Sequence, residues 1–230
     1  MSKVAVLGNV AGTGVFTVAS PNSNTDRTLT LPDETGTVLT GVSSLVAGNL
    51  TGSVPTSAMP AGSVIQVKQN IYDVSNSFAI SLVNDTGYGM GGWHYTGVSL
   101  TFTPTSATSR IILSSSINFA SNNYTERVSF KIVRDTGSIT PVTGMGAIDS
   151  NRRMCHASTL YPQLGSSEHL SEISMNTFDE PNTISSVVYK VYVNQNTSSG
   201  TVFINRPVNN GDAYYIPKAI STITGFEVAQ

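Results

Sequence analysis

From Val64 onward, apolar residues fall on every second position, the period of a strand with one face buried. Ile65 and Val67 alternate, then Phe78, Ile80 and Leu82, then Val98, Leu100 and Phe102, where Pro104 stops the run. Ile111, Leu113, Ile117 and Phe119 share one face of a long strand whose other face carries Ile112, Ser114, Ser116 and Asn118. Val128, Phe130 and Ile132 follow; after a polar stretch come Val187, Tyr189, Val191 and Val193, then Val202 and Ile204, and last the run from Ile220 to Val228. The pattern predicts about eight strands, joined by Gly-, Asn- and Ser-rich turns such as 194–200 and 209–212. An antiparallel β-sandwich is the economical arrangement for such strands, and a jelly roll is its expected topology.

One stretch interrupts the pattern. Residues 144–181 show no strand alternation and are expected to form a long insertion, functional or separately folded.

Residues 1–62 follow another grammar. Small apolar residues stand singly or in pairs among Gly, Thr, Ser, Asn and Pro, with hints of alternation at Val15–Val18, Leu29 with Leu31, and Val38 with Leu39. Over 41–62, Leu45, Val46, Leu50, Val54 and Met59 are separated by glycines and by Pro55 and Pro60. Proline fixes φ and biases the preceding residue away from helix, so this part reads as extended. Such a segment cannot bury its apolar residues against itself. It is a disordered linker, or a thread that packs on copies of itself or on a neighbouring protein. Fully extended, its 22 residues would reach roughly 70 Å. The expected division is 1–62 as extended anchor and neck and 63–230 as β head.

Composition sharpens this picture. Only 11% of residues are charged, against roughly 25% in an ordinary soluble protein. Serine, threonine, asparagine and 20 glycines supply the polarity instead, a mixture that suits strands, turns and extended chain better than helices. A net charge of −2 gives no basic field for nucleic acid or an anionic membrane surface, and no apolar run approaches the ~20 residues of a membrane helix. The first eight residues hold too short an apolar stretch for a signal peptide, so assembly in the cytoplasm is expected. A single cysteine, Cys155, leaves stability to packing or partner chains.

Candidate chemistry is sparse. His94, His156 and His169 do not stand at metal-ligand spacing, and Cys155 beside His156 lacks an orienting third group for a thiol nucleophile. Asp179 with Glu180, and Glu168 with Glu172, could serve as paired carboxylates in glycan hydrolysis, but one sandwich leaves no room for the long β-helix that usually accompanies it. Gly87, Gly89, Gly91 and Gly92 lack the Lys-Ser/Thr of a phosphate loop. Neither enzymatic activity nor a cofactor is expected. Aromatic and basic loop residues are the better candidates, since receptors are usually gripped by such groups. They form three clusters: Trp93 with His94 and Tyr95; Arg152, Arg153, His156 and Tyr161; and Tyr214 with Tyr215.

Several strings, kept in order along the chain, carry a family resemblance. GVFTVASP at 14–21 and NTDRTLTLPDETGTV at 24–38 resemble a module of phage tail-fibre and virion-appendage proteins. GSVPTSAMPAGSV at 52–64 is similar to the neck those proteins carry before their head. WHYTGV at 93–98 and TPTSATSRIIL at 103–113 resemble the start of that head; VYKV at 188–191, GTVFINR at 200–206 and ITGFEV at 223–228 look like its closing strands. The resemblance implies a homotrimer with a tumour-necrosis-factor-like jelly-roll head. Residues 1–62 would bind other virion proteins, and Leu45, Leu50, Val54 and Met59 would pack in the trimer neck. The implied location is the virion, assembled in the host cytoplasm. Two functions remain open: a tail fibre or spike whose head meets a host-surface glycan or protein, and a decoration protein or head fibre bound to the capsid shell.

Overall fold

The computed structural model describes residues 10–15, 17, 22–26, 28, 58–81, 88–161, 167–197 and 199–230. The chain divides into two units, Met1–Thr51 and Gly52–Gln230. In the first, Val10 and Val15 are exposed. The second is all-β, with eleven strands among the described residues and a 3₁₀ turn at Thr143–Met145.

Two antiparallel sheets make the sandwich. In the first, β1 (Val64–Tyr72) pairs with β11 (Ser221–Val228), and β2 (Asn76–Ile80) pairs with β10 (Gly200–Ile204). Strands β11 and β10 lie end to end along one edge of β4 (Arg110–Ser121), opposite Arg110–Ser116 and Phe119–Ser121. The other edge of β4 holds β8 (Ser171–Asp179) over nine residue pairs. In the second sheet, β3 (His94–Phe102) pairs with β9 (Val187–Gln195), and β9 with β5 (Arg127–Asp135). The far edge of β5 takes β6 (Ile139–Pro141) at one end and β7 (Ala157–Leu160) at the other. Counting each end-to-end couple once, the strands run 1-8-3-6 facing 2-7-4-5. That order is the pair of interleaved Greek keys of a jelly roll.

Alternation decides which side chains meet between the sheets. On β4, Ile111, Leu113, Ile117 and Phe119 are wholly buried while Ile112 on the opposite face is exposed. Their partners from the other sheet are Val98, Leu100 and Phe102 on β3, Val128, Phe130 and Ile132 on β5, and Val187, Tyr189, Val191 and Val193 on β9. Phe119 and Phe130 meet edge-to-face across the gap, with centroids 5.1 Å apart, a geometry that suits the ring quadrupoles. Gly97 sits at φ 95° in the bulged part of β3; a Cβ there would lie 2.3 Å from the hydroxyl of Tyr72.

The stretch 144–181 is not a projecting insertion. It contains β7 and β8, and β8 completes the first sheet. Its alternation is hidden because two of its inward positions, Thr177 and Asp179, are polar. Asp179 is wholly buried yet satisfied: Arg134 Nη1 donates to it at 2.8 Å, Tyr189 Oη at 3.1 Å, and the Thr143 N–H at 3.0 Å. A second buried carboxylate, Glu227, ties down the β3–β4 loop. Gln66 donates to it at 2.6 Å and the Thr105 N–H at 2.7 Å. Burial pushes its pKa up, but the hydrogen bonds, led by that of Gln66, outweigh this and hold it below the ordinary value.

Leu45, Leu50 and Val54, expected to pack in a neck, lie outside the described residues. Met59 is half-buried and shares a cleft with Ile65, Thr105 and Ala229.

Candidate functional site

Seven of the nine residues singled out from the sequence separate into three environments, and only one of these faces solvent as an aromatic surface.

Tyr161 belongs to the core. It is 1% exposed, its ring lies 5.9 Å from those of Phe119 and Tyr124, and its hydroxyl donates to the His169 carbonyl at 2.5 Å. Burial, reinforced by Tyr124, pushes its pKa up to about 12. A ring held this way has no face to offer a receptor. The reason is positional: it directly follows β7, whose pairing with β5 draws it under the sheet.

Trp93, Arg153 and His156 converge on the outer face of the second sheet. Strands β5 and β9 turn Lys131, Val133, Tyr192 and Asn194 outward there, and residues 88–93 and 153–156 cover them. Trp93 packs against Val133 and Tyr192, with Met90, Tyr95 and Cys155 at the margin. Lys131 is 1% exposed; its Nζ donates to the Gly89 carbonyl at 2.6 Å and lies 4.1 Å from the centroid of the Trp93 ring. This ring face and carbonyl dipole are what make a buried ammonium tolerable. Arg153 Nη1 donates to Asn194 Oδ1, and Asn194 Nδ2 donates to the Gly92 carbonyl, so one asparagine joins both covering segments. The His156 N–H donates to the Phe130 carbonyl at 2.9 Å, and its Nδ1 accepts from the Ile132 N–H at 3.0 Å. Burial, followed by repulsion from Lys131, lowers its pKa to about 4. The Cys155 thiol is pushed up by burial, away from the thiolate a nucleophile needs. This polar and aromatic cluster is a plug that fastens two segments to a sheet.

Arg152, Tyr214 and Tyr215 are on the surface. Arg152 is paired with Asp149 at 2.7 Å, three residues back, with both side chains exposed. Tyr214 and Tyr215 lie in the β10–β11 connection, their rings 5.4 Å apart and almost perpendicular at 85°. Among the described residues they are the aromatic side chains left exposed. The residues that sequence reasoning missed are Lys131 and Asn194, both buried within strands. Lys131 stands between Phe130 and Ile132, and that position was the available signal. Among the described residues no group of three or more His, Cys, Asp or Glu is placed to hold a metal ion.

No family model matches the chain, and no curated protein matches it. Among solved structures it is similar to one titled "Structure of infectious bursal disease virus Gx strain", at 7% identity and a TM-score of 0.34. The match covers 78% of this chain and 46% of that one, so the chain spans less than half the length of that neighbour. The functional reading rests on this chain's own residues.

Proposed function

We propose that the chain is the subunit of a homotrimeric virion appendage of the phage fibre or spike type. Residues 1–62 anchor it to other virion proteins, and the jelly-roll head contacts the host surface without performing catalysis. The observation that carries this reading is the outer face of the first sheet. Register places Val67, Phe226, Ile112 and Phe178 side by side across β1, β11, β4 and β8. Val67 is 54% exposed and Ile112 42%. The next two rows consist of Ser, Thr, Asn, Gln and Ile71, so three successive rows hold no charged side chain. Arg110, at the margin, is neutralised within the same copy: it stacks 4.6 Å from the Phe178 centroid and pairs with Glu180 at 2.5 Å.

A sheet face whose three adjacent rows are uncharged, with Glu172 at the far margin accepting from Ser116 Oγ at 2.6 Å, suits contact with copies of itself. Around a symmetry axis each residue meets its own kind, so an unpaired charge would face its like. Burying the row contributes at ~25 cal/mol per Å² of apolar surface. The number three comes from the resemblance to trimeric appendages.

Light scattering on the full chain at micromolar concentration should give three times the 24.2 kDa chain mass. Ile112→Lys, which brings like charges together at the axis, should give a monomer with unchanged circular dichroism. A stable wild-type monomer overturns the reading. Copies per particle, counted in purified virions, separate a tail appendage from a shell decoration. The first comes in small multiples of three or six, the second in numbers on the order of hundreds set by shell symmetry.

A further inference from the structure

Asparagine followed by glycine is a chemically reactive pair, because no side chain shields the glycine nitrogen from the neighbouring carboxamide. Asn210–Gly211 is the one such pair among the 230 residues. The fold leaves it open. Both residues are exposed and lie outside any strand, and among the described residues the Asn210 carboxamide has no hydrogen-bond partner. Asn70, Asn118, Asn176 and Asn194, by contrast, lie within strands, where ladder pairing fixes the main chain and resists closing a ring onto the next nitrogen. Packing explains why glycine stands at 211. Its N–H donates to Asn209 Oδ1 at 3.0 Å, and a Cβ there would come within 3.3 Å of that same oxygen and of Ile216 Cδ1. The contacts that favour glycine therefore also bare its nitrogen.

We infer that Asn210 is a site of spontaneous deamidation and isomerisation in the folded head, which converts it to a mixture of aspartate and isoaspartate. The Gly211 nitrogen gives up its proton to hydroxide and bonds to Asn210 Cγ. The Cγ–Nδ2 bond breaks, and Nδ2 leaves as ammonia after taking a proton from water, which regenerates the hydroxide. Water then opens the succinimide: at Cγ to give aspartate, or at the main-chain carbonyl carbon to give isoaspartate, with the chain rerouted through Cβ and Cγ. One water is consumed and one ammonia released. The head can take this change without unfolding, since exposed loop backbone tolerates alteration when its flanks are tied. On the core side, the buried Asn205 donates to the Tyr72 carbonyl at 2.7 Å and accepts from Ser221 Oγ at 2.6 Å, and the Asn209 N–H donates to the Ser167 carbonyl at 2.8 Å. Beyond Asn210, the Ile216 N–H donates to the Ala213 carbonyl at 3.0 Å. What changes is the surface. A new carboxylate appears beside the exposed Asp212, in the connection that displays Tyr214 and Tyr215.

The test incubates the full-length chain at mildly alkaline pH. It follows the acidic shift in isoelectric focusing, methyl labelling by a protein isoaspartyl methyltransferase, and the mass of the peptide that holds position 210. Wild type should gain acidic species and label, both mapping to residue 210, and faster as pH rises because the attacking nitrogen must be deprotonated. Asn210→Gln should lose both signals at that position, since a six-membered imide closes far more slowly than a five-membered one. Gly211→Ala should slow the reaction about tenfold or more, as a Cβ shields the nitrogen and narrows its backbone freedom. The same chain unfolded in guanidinium chloride sets the unprotected rate. A folded rate more than about tenfold below it would mean that the fold shields the pair, and overturns the inference. So does the absence of any charge change, label that maps only elsewhere, or an undiminished signal in Asn210→Gln.

Discussion

The ammonium of Lys131 lies 4.1 Å from the centroid of the Trp93 ring, and between them they join the loop before β3 to the outer face of the second sheet. Trp93 is 7% exposed, so its removal leaves a cavity under that loop and uncovers a buried charge. Trp93→Ala should cost ~3–5 kcal/mol, as large aromatic truncations do, read as a lower denaturant midpoint by circular dichroism.

His156 should give the head a mildly acidic instability. Its folded pKa of about 4 lies below its ordinary value of 6.5, held there by burial and by Lys131. The unfolded chain therefore takes up the proton first. Stability is fully present above pH 6.5 and declines as pH falls towards 4, by at most about 3 kcal/mol. Asn at this position keeps an oxygen acceptor for the Ile132 N–H but does not titrate. His156→Asn should abolish the slope between pH 6.5 and 5 in urea denaturation series. Glu227, whose folded pKa is lowered, stabilises above its ordinary range and loses that contribution only below it, so acid unfolding continues at lower pH.

Neighbouring arginines should behave differently. Arg152 belongs to an exposed ion pair, so Arg152→Ser should change stability by no more than ~0.5 kcal/mol. Arg153 bonds to the buried side chain of Asn194, and Arg153→Ser should cost ~1.5–3 kcal/mol, typical of a charged hydrogen bond. Thermal melts of the two single variants side by side make the check.

Gly97→Ala should cost at least ~2 kcal/mol, from the positive φ and from the clash with Tyr72. Tyr72→Ala in the same chain removes the clash but not the backbone strain. The double variant should then be less destabilised than the sum of the singles, and a double-mutant cycle measures the difference.

The strands β3, β4, β5, β9, β10 and β11 were legible because one face of each meets the core and the other meets something polar. Ile111 to Phe119 is the clearest case. Strand β8 was not legible: Thr177 and Asp179 occupy its inward places, and what makes them acceptable there is Arg134, Tyr189 and Thr143, up to 45 residues away. Of the candidate site, Tyr214 and Tyr215 are exposed, in a connection rich in Asn that leaves both rings on the surface. Tyr161 did not, since its position after a short strand that pairs with β5 is not written locally.

Composition and alternation alone therefore determined that this chain is all-β and where most of its strands run. Those are local facts, since whether a residue alternates depends on its nearest neighbours. Which strands pair, and so which side chains from distant segments share a face, was decided only by the tertiary structure. Trp93, Lys131 and His156 became one plug, and Val67, Phe226, Ile112 and Phe178 one row, because long-range register set them side by side. Register is a cooperative choice of the whole sandwich: slipping a strand by one residue would turn every buried side chain on it to the opposite face.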